Sequence, residues 1–493
     1  MLRKTLLMMA GALGMGLAGR GMAAEPARQP TNIVVIVADD MGWAENTVAG
    51  KGTPMGYPTP NLEKLAKSGV FFDRAYVTAS VCAPSRAALL TGRYQNRFGY
   101  DHLPGTLDLK LDTLPAEVKD KLGVATSELT LADVLKSEGY RTAAIGKWHL
   151  GYQDKFYPTN RGFDEFYGFL GGQTQYIRSS APGVHLGKAG GPATSRHAEK
   201  RFPSTMFMEG PNRTPVDNMD TYLTDDLTNK SVAFIDQNKD KPFFLYLAYN
   251  AIHAPFEVTD EYYKRFPNIK NEDERIKAAM TAALDDGIGR VMDELDKKGL
   301  RENTMVVFLS DNGCAMYLEG AFCSCLPLRG GKLSEYEGGF RTPMIISWPA
   351  GMPKGETYTK RVSALDVFPT AVAASKGKLP SDRDYDGVNL IPYVSGKDSE
   401  TPHDVLYWER DPYETILAGD WKLWRAKDGS VKMLFNLKDD PNEAHNLYDS
   451  RPDKVAELSK RLEAWSATMP PESFPSQATV PANYCGADLH LPV

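Results

Sequence analysis

The stretch that indicates the fold is Asn32–Ala38 (NIVVIVA), which passes directly into Asp39-Asp40-Met41-Gly42. Its apolar residues follow one another without the alternation of a half-exposed strand. This pattern predicts a strand that is covered on both faces and therefore has mainly parallel neighbours. Because the strand ends in two carboxylates, the same stretch also points to a site at the carboxyl edge of the sheet.

Three other apolar, β-rich runs also end in residues that can carry out chemistry. They are residues 141–145, which lead to Lys147 and His149, residues 242–247, which lead to His253, and residues 305–309, which lead to Asp311 and Asn312. In a doubly wound sheet, ligands gather beyond the carboxyl ends of the strands. We therefore expect these side chains to lie together.

Helical patterns separate the predicted strands. Residues 61–68, 129–138 and 276–298 each show an apolar stripe that ends at a glycine. The alternation predicts an α/β fold with a large mixed, mainly parallel sheet and helices on both faces. Beyond residue 385, short strand-like runs and a final helix over residues 453–469 predict a smaller antiparallel sheet with a terminal helix. We divide the chain into a signal peptide (1–24), a catalytic domain (25–385) and a C-terminal subdomain (386–493).

Composition excludes several classes of protein. The chain has 493 residues, of which 42% are hydrophobic and 24% charged, as in ordinary globular proteins. A formal charge of −6 argues against a general nucleic-acid binder, which needs a basic surface. Only residues 1–24 contain a long apolar run, so a protein with several membrane spans is excluded.

The N-terminus has the pattern of a secretory signal. Arg3 and Lys4 precede an apolar stretch, and small residues at positions 21–24 form a cleavage region. The alternative is an N-terminal membrane anchor, but the stretch is shorter than the roughly 20 residues that a span needs. We expect a secreted or periplasmic protein without stable membrane insertion.

Five cysteines are an odd number for an oxidising compartment, so at least one is unpaired or modified. Cys82 is the candidate for that role. The other four allow up to two disulfides in three connectivities, and the sequence does not choose among them; they are Cys314, Cys323, Cys325 and Cys485.

Residues 82–93 (CAPSRAALLTGR) carry the most specific motif of the chain. Pro84 suits the first turn of a helix and Gly92 its end, which places Cys82 at the positive end of the helix dipole, where anions bind favourably. The stretch resembles the signature of type I sulfatases, C-x-P-S-R followed by L-T-G-R. The resemblance continues in the family's order through residues 39–42, 146–151, 162–164, 253–255, 310–313, 330–332, 337–341, 419–422 and 434–441.

The resemblance implies a formylglycine-dependent sulfatase of the alkaline phosphatase superfamily. In that family a maturation enzyme oxidises the cysteine at the position of Cys82 to formylglycine. One hydroxyl of its hydrate attacks sulfur and forms a covalent sulfo-enzyme intermediate, and the other expels sulfate. The alternative from the residue alone is a buried structural thiol.

Four side chains at two strand ends offer hard oxygen ligands, which suit Ca²⁺ or Mg²⁺ rather than copper or zinc; they are Asp39, Asp40, Asp311 and Asn312. Without the family, an Asp-Asp pair after a strand is more often a turn or a helix cap. The resemblance implies one Ca²⁺, to which the formylglycine at Cys82 also binds, with Mg²⁺ as the second choice.

The resemblance also assigns catalytic roles. Arg86 holds the formylglycine and metal side of the site, whereas Lys147 and Lys332 bind the sulfate, whose oxygens gain charge in the transition state. Lys332 or His253 assists the leaving oxygen. His149 lies two residues beyond Lys147, so both side chains would face one side of an extended segment, and it accepts a proton from the second hydroxyl.

Substrate selection is less specific in the sequence. Residues 171–215 form a long Gly-, Pro- and Ser-rich segment with several cations, which predicts a substrate-facing loop, with solvated surface as the alternative. His102, Arg178 and Arg410 are the candidate substrate-binding residues. We expect a sulfate ester on a sulfated carbohydrate as the substrate and a formylglycine-generating enzyme as a partner.

The alternatives are a hydrolase of small aryl sulfates, a phosphodiesterase or phosphonate monoester hydrolase of the same superfamily, and an unmatured protein that only binds sulfated glycan. The sugar, the sulfated carbon, the exo or endo mode and the oligomeric state stay open.

Overall fold

A computed structural model describes residues 30–50, 52–53, 55–103, 113–188, 205–318, 320–474, 476, 479–484 and 487–492. The predicted signal peptide over residues 1–24 lies outside these residues, as do Cys485 and the cations at positions 196, 200 and 201 of the predicted loop. In the described part of the chain, no helix combines the length and the apolar character that crossing a membrane requires.

The largest element is a sheet of ten strands in the order β13-β2-β12-β11-β1-β9-β4-β5-β7-β8. The strands of this sheet are β1 (Asn32–Ala38), β2 (Val70–Phe72), β4 (Arg141–Lys147), β5 (Glu165–Phe169), β7 (Phe207–Glu209), β8 (Thr214–Val216), β9 (Phe243–Ala248), β11 (Thr304–Ser310), β12 (Met344–Ser347) and β13 (Glu356–Tyr358). The five central strands β11, β1, β9, β4 and β5 run parallel, while β12 and β7 pair with their neighbours in the antiparallel direction.

Helices cover both faces of this sheet. The α-helices of the described part of the chain are α1 (Pro60–Lys67), α2 (Cys82–Thr91), α3 (Ala116–Lys119), α4 (Leu131–Ser137), α5 (Leu223–Gln237), α6 (Asp260–Tyr263), α7 (Glu272–Lys297), α8 (Glu337–Phe340), α9 (Val367–Ser375), α10 (Ile391–Val394) and α11 (Pro452–Ser466). Along β1, Ile33, Val35 and Val37 pack into one core with α2, α4 and α9. Val34 and Ile36 pack into the opposite core with α1, α5 and α7. The unbroken apolar run of β1 follows from this burial on both faces.

A separate antiparallel sheet lies in the C-terminal part of the chain. It contains β15 (Val405–Arg410), β16 (Tyr413–Ala418), β17 (Trp421–Ala426) and β18 (Lys432–Asn436) in sequence order. One face packs on residues of α8 such as Phe340, and the other packs on α11 through Leu458 and Leu462.

Three two-stranded pairs complete the structure. They are β3 (Ala75–Tyr76) with β14 (Val362–Ser363), β6 (Val184–Leu186) with β10 (Glu257–Thr259), and β19 (Thr479–Tyr484) with β20 (Ala487–Pro492).

The predicted fold class is confirmed, including the terminal helix, which spans Pro452–Ser466. The structure also selects one cysteine pairing: Cys314 is bonded to Cys323, while Cys82 and Cys325 are free buried thiols. The boundary near residue 385 between two domains stays a prediction.

Candidate active site

The ends of four parallel strands bring the predicted chemical residues together. β1 and β11 pair along their whole length, with Ala38 opposite Ser310, so Asp39 and Asp311 leave the sheet side by side. Gly146 pairs with Ala248, which brings the end of β4, and with it Lys147, next to the loop that carries His253. The strand ends therefore meet at one edge of the sheet, as the sequence predicted.

The loop after β1 is fixed tightly. Asp40 has a φ of 60°, a left-handed conformation that turns the chain sharply between the two carboxylates. Its N–H donates to Asp311 Oδ1 at 3.2 Å, and the Met41 N–H donates to Ser310 Oγ at 2.9 Å. These bonds tie the two strand ends to each other.

α2 places Cys82 at its first position, next to the extended N-cap residue Val81, and ends at Gly92 in the left-handed conformation. All ten residues of this helix are buried, including Arg86. A Cβ at Gly92 would lie 2.8 Å from the Cβ of Phe368, so only glycine fits the end of the helix. Close packing of a helix without a polar face fixes the position of Cys82 at its positive end.

Three buried cations face the carboxylates. Arg86 donates to Asp311 Oδ2 through Nε at 2.8 Å and lies 3.5 Å from Asp39 Oδ2 through Nη2. Lys147 Nζ lies 2.6 Å from Asp39 Oδ2. Lys332 Nζ lies 2.6 Å from Asp40 Oδ1 and 3.2 Å from Cys82 Sγ. The cations and the thiol thus share one buried pocket.

Burial and charge separate the pKa values in this pocket. Burial and the nearby charge of Asp311 raise the pKa of Asp39 to about 7. Burial acts on Asp40 in the same direction, but the charge of Lys332 outweighs it and holds the pKa of Asp40 well below its ordinary range. Burial raises the pKa of the Cys82 thiol to about 11, so an unmodified Cys82 is protonated and a weak nucleophile at neutral pH.

The donor set fits a hard divalent cation. Ligand atoms of Asp39, Asp40, Cys82 and His253 all lie within 4.8 Å of one another. Asp39 Oδ1 and Asn312 Oδ1 are buried, and among the described residues neither has a hydrogen-bond partner. Buried oxygens without partners are costly unless a ligand satisfies them, and carboxylate and amide oxygens are the ligands that Ca²⁺ and Mg²⁺ prefer.

Both predicted catalytic histidines border the pocket. His253 Nε2 lies 3.5 Å from Asp40 Oδ2, and Nδ1 lies 2.5 Å from the carbonyl oxygen of Ala254. Burial, together with the charge of Lys332, lowers the pKa of His253 to about 3, although Asp40 acts against this shift. Burial and the charge of Lys147 also hold the pKa of His149 well below its ordinary range. Both imidazoles are therefore neutral at pH 7.

The prediction that Lys147 and His149 lie on one side of an extended segment was wrong. β4 ends at Lys147, and His149 has a φ of 59°, so the segment is not extended. The imidazole packs against Gly172, where a Cβ would lie 2.9 Å from Cε1 of the ring. His149 Nδ1 is buried and has no hydrogen-bond partner among the residues that the structure describes.

A buried ion pair behind the site was missing from the sequence analysis. Lys277 of α7 donates to the carbonyl oxygen of Ile252 at 2.9 Å and lies 3.5 Å from Glu45 Oε1. Glu45 Oε2 accepts the Gly42 N–H at 2.6 Å. The pair links the loop after β1 to the loop that carries His253. The only sequence signal was a lysine on the apolar side of a helix.

The candidate substrate-binding residues each face a carboxylate of the chain itself. His102 is fully buried, with Nε2 3.4 Å from Glu472. Arg178 lies near the surface beside Asp217 and Asp220. Their role in substrate binding stays a prediction.

Arg410 is more deeply buried than a residue on the rim of a pocket would be. Its guanidinium donates to the carbonyl oxygen of Leu333 at 2.7 Å and lies 3.2 Å from Glu335. Arg410 lines a cleft of about 520 Å³, which also receives Asn96 and Asp101 from the segment after α2. The two segments that follow α2 and β15 therefore meet, and a substrate-binding role for Arg410 stays a prediction.

Comparison with known proteins gives consistent matches. A family model described as Sulfatase matches residues 31–377, and one described as N-sulphoglucosamine sulphohydrolase, C-terminal, matches residues 331–468. N-acetylgalactosamine-6-sulfatase of Mus musculus is 32% identical over 83% of this chain and 75% of its own length. Arylsulfatase G of Rattus norvegicus is 30% identical over 87% of this chain and 85% of its own length. The crystal structure of Ps i-CgsB superposes with a TM-score of 0.77 at 35% identity, covering 91% of this chain and 95% of that one.

These matches place the chain among the sulfuric ester hydrolases of the alkaline phosphatase superfamily. More narrowly, the chain belongs to the formylglycine-dependent sulfatase family, as the motif at residues 82–93 predicted.

Proposed function

We propose that the protein is an exported sulfatase that hydrolyses a sulfate ester on a carbohydrate, with position 82 supplying the nucleophile. The observation that carries the proposal is the pocket around Cys82, where Lys332 Nζ lies 3.2 Å from Sγ at the N-terminus of α2. Permanent cations and a helix N-terminus stabilise the charge that grows on sulfate oxygens in the transition state.

Relatives support a carbohydrate substrate. The mouse relative is named for N-acetylgalactosamine 6-sulfate, and Ps i-CgsB has been crystallised with k-i-k-neocarrahexaose, at 34% identity to this chain. We infer that a sulfated sugar is also the substrate here.

Two groups complete the proposed site. Asp39, Asp40, Asp311 and Asn312, together with the modified residue 82, would hold one Ca²⁺, which supplies Lewis acidity to the bound ester. Formylglycine formed from Cys82 supplies a hydrated aldehyde as the nucleophile. The two unpartnered oxygens, Asp39 Oδ1 and Asn312 Oδ1, support this ligand set.

The side chains of the protein then have distinct tasks. Arg86 fixes Asp311 and Asp39 by direct contact and holds the metal side of the site. Lys147 and Lys332 bind the sulfate oxygens. The charge of Asp40 outweighs burial and raises the pKa of Lys332 well above its ordinary value, so Lys332 stays charged beside the leaving oxygen. Neutral His149 accepts a proton at Nδ1, and neutral His253 orients the leaving side through Nε2.

The test is sulfate release from a panel of sulfated mono- and oligosaccharides and 4-nitrophenyl sulfate. We expect release from one saccharide isomer and none from the Cys82→Ala variant, while both proteins have the same melting temperature. Activity confined to the aryl ester would support the arylsulfatase alternative. Hydrolysis of phosphate diesters or phosphonates without sulfate release would overturn the proposal.

Export and maturation belong to the same proposal. We propose that residues 1–24 are removed on export, leaving a catalytic domain over 25–385 and a C-terminal subdomain over 386–493. Mass spectrometry of the exported protein tests both points, because the N-terminal peptide reports cleavage and the Cys82 peptide reports conversion to formylglycine. An intact N-terminus in the exported fraction would contradict the signal peptide.

A further inference from the structure

The loop that follows Asn312 is held in place by a disulfide and by Lys332. Cys314 and Cys323 close a loop with a sequence separation of 9 residues. The Lys332 N–H donates to the Cys314 carbonyl oxygen at 2.9 Å, so the base of the loop is tied to the segment that carries Lys332. Turns inside the loop are closed by Met316 N–H to Cys314 O at 2.9 Å and Leu318 N–H to Ala315 O at 3.0 Å.

This loop presents two large side chains beside the pocket. Met316 is 42% exposed, and its Sδ would lie 3.2 Å from a Cβ at Gly331, the residue before Lys332. Tyr317 is half-buried and packs on the core cluster that contains Leu333 and Tyr336. The ring of Tyr317 therefore packs on the same cluster as Leu333, the residue that directly follows Lys332.

The Tyr317 side chain lies near the reacting groups. Burial raises the pKa of Tyr317 to about 12, and the charges of Lys332, Asp40 and Cys82 all act on it. The phenol consequently lies within electrostatic reach of the three groups at the centre of the site and stays protonated at neutral pH.

The groups described so far around Cys82 are charged or polar, which suits the sulfate but not the sugar ring that bears it. Sugar rings have apolar C–H faces, and ligand pockets usually bind such faces with aromatic side chains while a few polar groups set the orientation. Tyr317 has both an aromatic face and a hydroxyl.

We propose that Tyr317 is a specificity-determining residue that packs against the ring of the sulfated sugar unit. The inference rests on the proposed function and adds the residue that recognises the carbohydrate rather than the sulfate. The Cys314–Cys323 disulfide would act as a positioning element, because it closes the loop that carries the ring.

Two variants separate the ring from the hydroxyl. Tyr317→Leu removes the aromatic face and keeps an apolar side chain on the core cluster, whereas Tyr317→Phe keeps the face. We expect Tyr317→Leu to raise the KM for the sulfated saccharide by about tenfold with a small change in kcat, and Tyr317→Phe to stay within about threefold of the wild type. Tyr448→Leu is the matched control, since Tyr448 is half-buried against the cluster between the C-terminal sheet and α11.

The inhibition constant for inorganic sulfate distinguishes the proposed role of Tyr317 from a structural one. It should change if Tyr317 only supports the shape of the site, and it should stay the same if Tyr317 contacts the sugar. The anion needs only the cationic pocket, so its inhibition constant should be the same in Tyr317→Leu and in the wild type. A parallel rise in the KM and in the inhibition constant for sulfate would mean that Tyr317 only supports Lys332, and it would overturn the proposal.

The remaining outcomes are also decisive. An unchanged saccharide KM in Tyr317→Leu, with sulfate release by the wild type, overturns the inference and leaves the proposed function standing. A mature wild-type protein that releases no sulfate from any saccharide overturns the proposed function and the inference with it. Calorimetry can measure the Kd of the saccharide for the inactive Cys82→Ala variant and for the double variant Cys82→Ala, Tyr317→Leu. The ratio of these two Kd values should equal the ratio of the KM values of the wild type and Tyr317→Leu.

Discussion

Two buried charge clusters in this molecule look alike and differ in one respect. The site cluster consists of Asp39, Asp40, Arg86, Lys147, Asp311 and Lys332. The interface cluster consists of Tyr76, Glu337, Lys422 and Glu443, and it joins β3 and α8 to the C-terminal sheet. All members of both clusters are buried.

The pattern of pKa values does not distinguish the two clusters. In the interface cluster, burial raises the pKa of Glu443 to about 7, while Lys422 and Arg341 outweigh burial at Glu337 and lower its pKa. Asp39 and Asp40 show the same separation. A perturbed pKa alone does not identify a functional site, because structural ion networks also perturb pKa values.

The contacts that the carboxylate and amide oxygens make do distinguish the two clusters. Glu337 Oε1 lies 3.2 Å from Lys422 Nζ, and Oε2 accepts from the Tyr76 hydroxyl at 2.8 Å. Glu443 Oε1 makes no hydrogen bond to the described residues but is ion-paired with Lys422, whose Nζ lies 2.9 Å away, and Oε2 accepts the Glu337 N–H at 2.7 Å. In the site cluster, Asp39 Oδ1 and the adjacent Asn312 Oδ1 lack a partner among the described residues. A network in which each carboxylate oxygen faces a cation or a donor stabilises the fold, whereas one with unpartnered oxygens is arranged for a ligand.

Removal of the proposed divalent cation should have the largest effect on activity, and it should act through the site cluster alone. We expect a chelator to reduce sulfate release to background and Ca²⁺ to restore it. Ca²⁺ at about 100 times its Kd should also stabilise the wild type by about 2.7 kcal/mol, and Asn312→Ala should lose most of this gain. The measurements are sulfate release and thermal unfolding with and without Ca²⁺. Full activity after exhaustive chelation would contradict the proposed metal site.

Lys147→Met should lower kcat by about 10²–10³-fold, because it removes one preorganised charge from the sulfate pocket. Asp39 keeps Arg86 at 3.5 Å, so the fold should be affected much less than activity. Steady-state kinetics and a melting curve on the same sample check this expectation. A variant that loses stability without losing kcat would place Lys147 with the structural ion pairs.

Lys422→Met should behave in the opposite way. It leaves two buried carboxylates without their cation, and breaking a buried pair in this manner costs about 3–5 kcal/mol of unfolding free energy. Denaturant unfolding measures the loss, and the double variant with Glu443→Gln should recover part of it. The folded fraction should keep the wild-type kcat. A selective fall in kcat would show that the interface cluster acts on the site.

The smallest effect is expected at His403, whose Nε2 lies 2.7 Å from Asp366 Oδ1. Burial lowers the pKa of His403, but the charge of Asp366 outweighs it, so the folded-state pKa lies above the unfolded value. The stabilisation is therefore fully present below the unfolded pKa of about 6.5 and is lost as the pH rises through the folded pKa.

The measurement is the melting temperature across this pH window. The wild type should lose a few degrees more than His403→Gln as the pH rises. Parallel curves would show that the pair contributes no pH-dependent stability.

The parts of the site that were predictable from sequence are encoded locally. The run into Asp39-Asp40, the motif at residues 82–93 and the run into Asp311-Asn312 each contain both the element and its functional residues, so a short window predicts them. The parallel register of β1 and β11 then brings them together.

The remaining parts depend on contacts between distant segments. Cys314 pairs with Cys323 rather than with Cys325, although Cys325 Sγ also lies only 3.7 Å from Cys314 Sγ. The two candidate partners are only two positions apart in the sequence, so the sequence gives no basis for choosing between them. The left-handed turn at His149 and the link from Lys277 to Ile252 have no local pattern either.

Cys82 is 2% exposed, and the helix that it begins is buried throughout. In the proposed maturation, an enzyme that oxidises this thiol would have to reach it, so it would have to act before α2 packs against the sheet. Oxidation and folding would then compete in time, and the outcome for each molecule would be fixed when it folds. The active fraction of a preparation would be set during biosynthesis, and adding the oxidising enzyme to folded protein would not raise it.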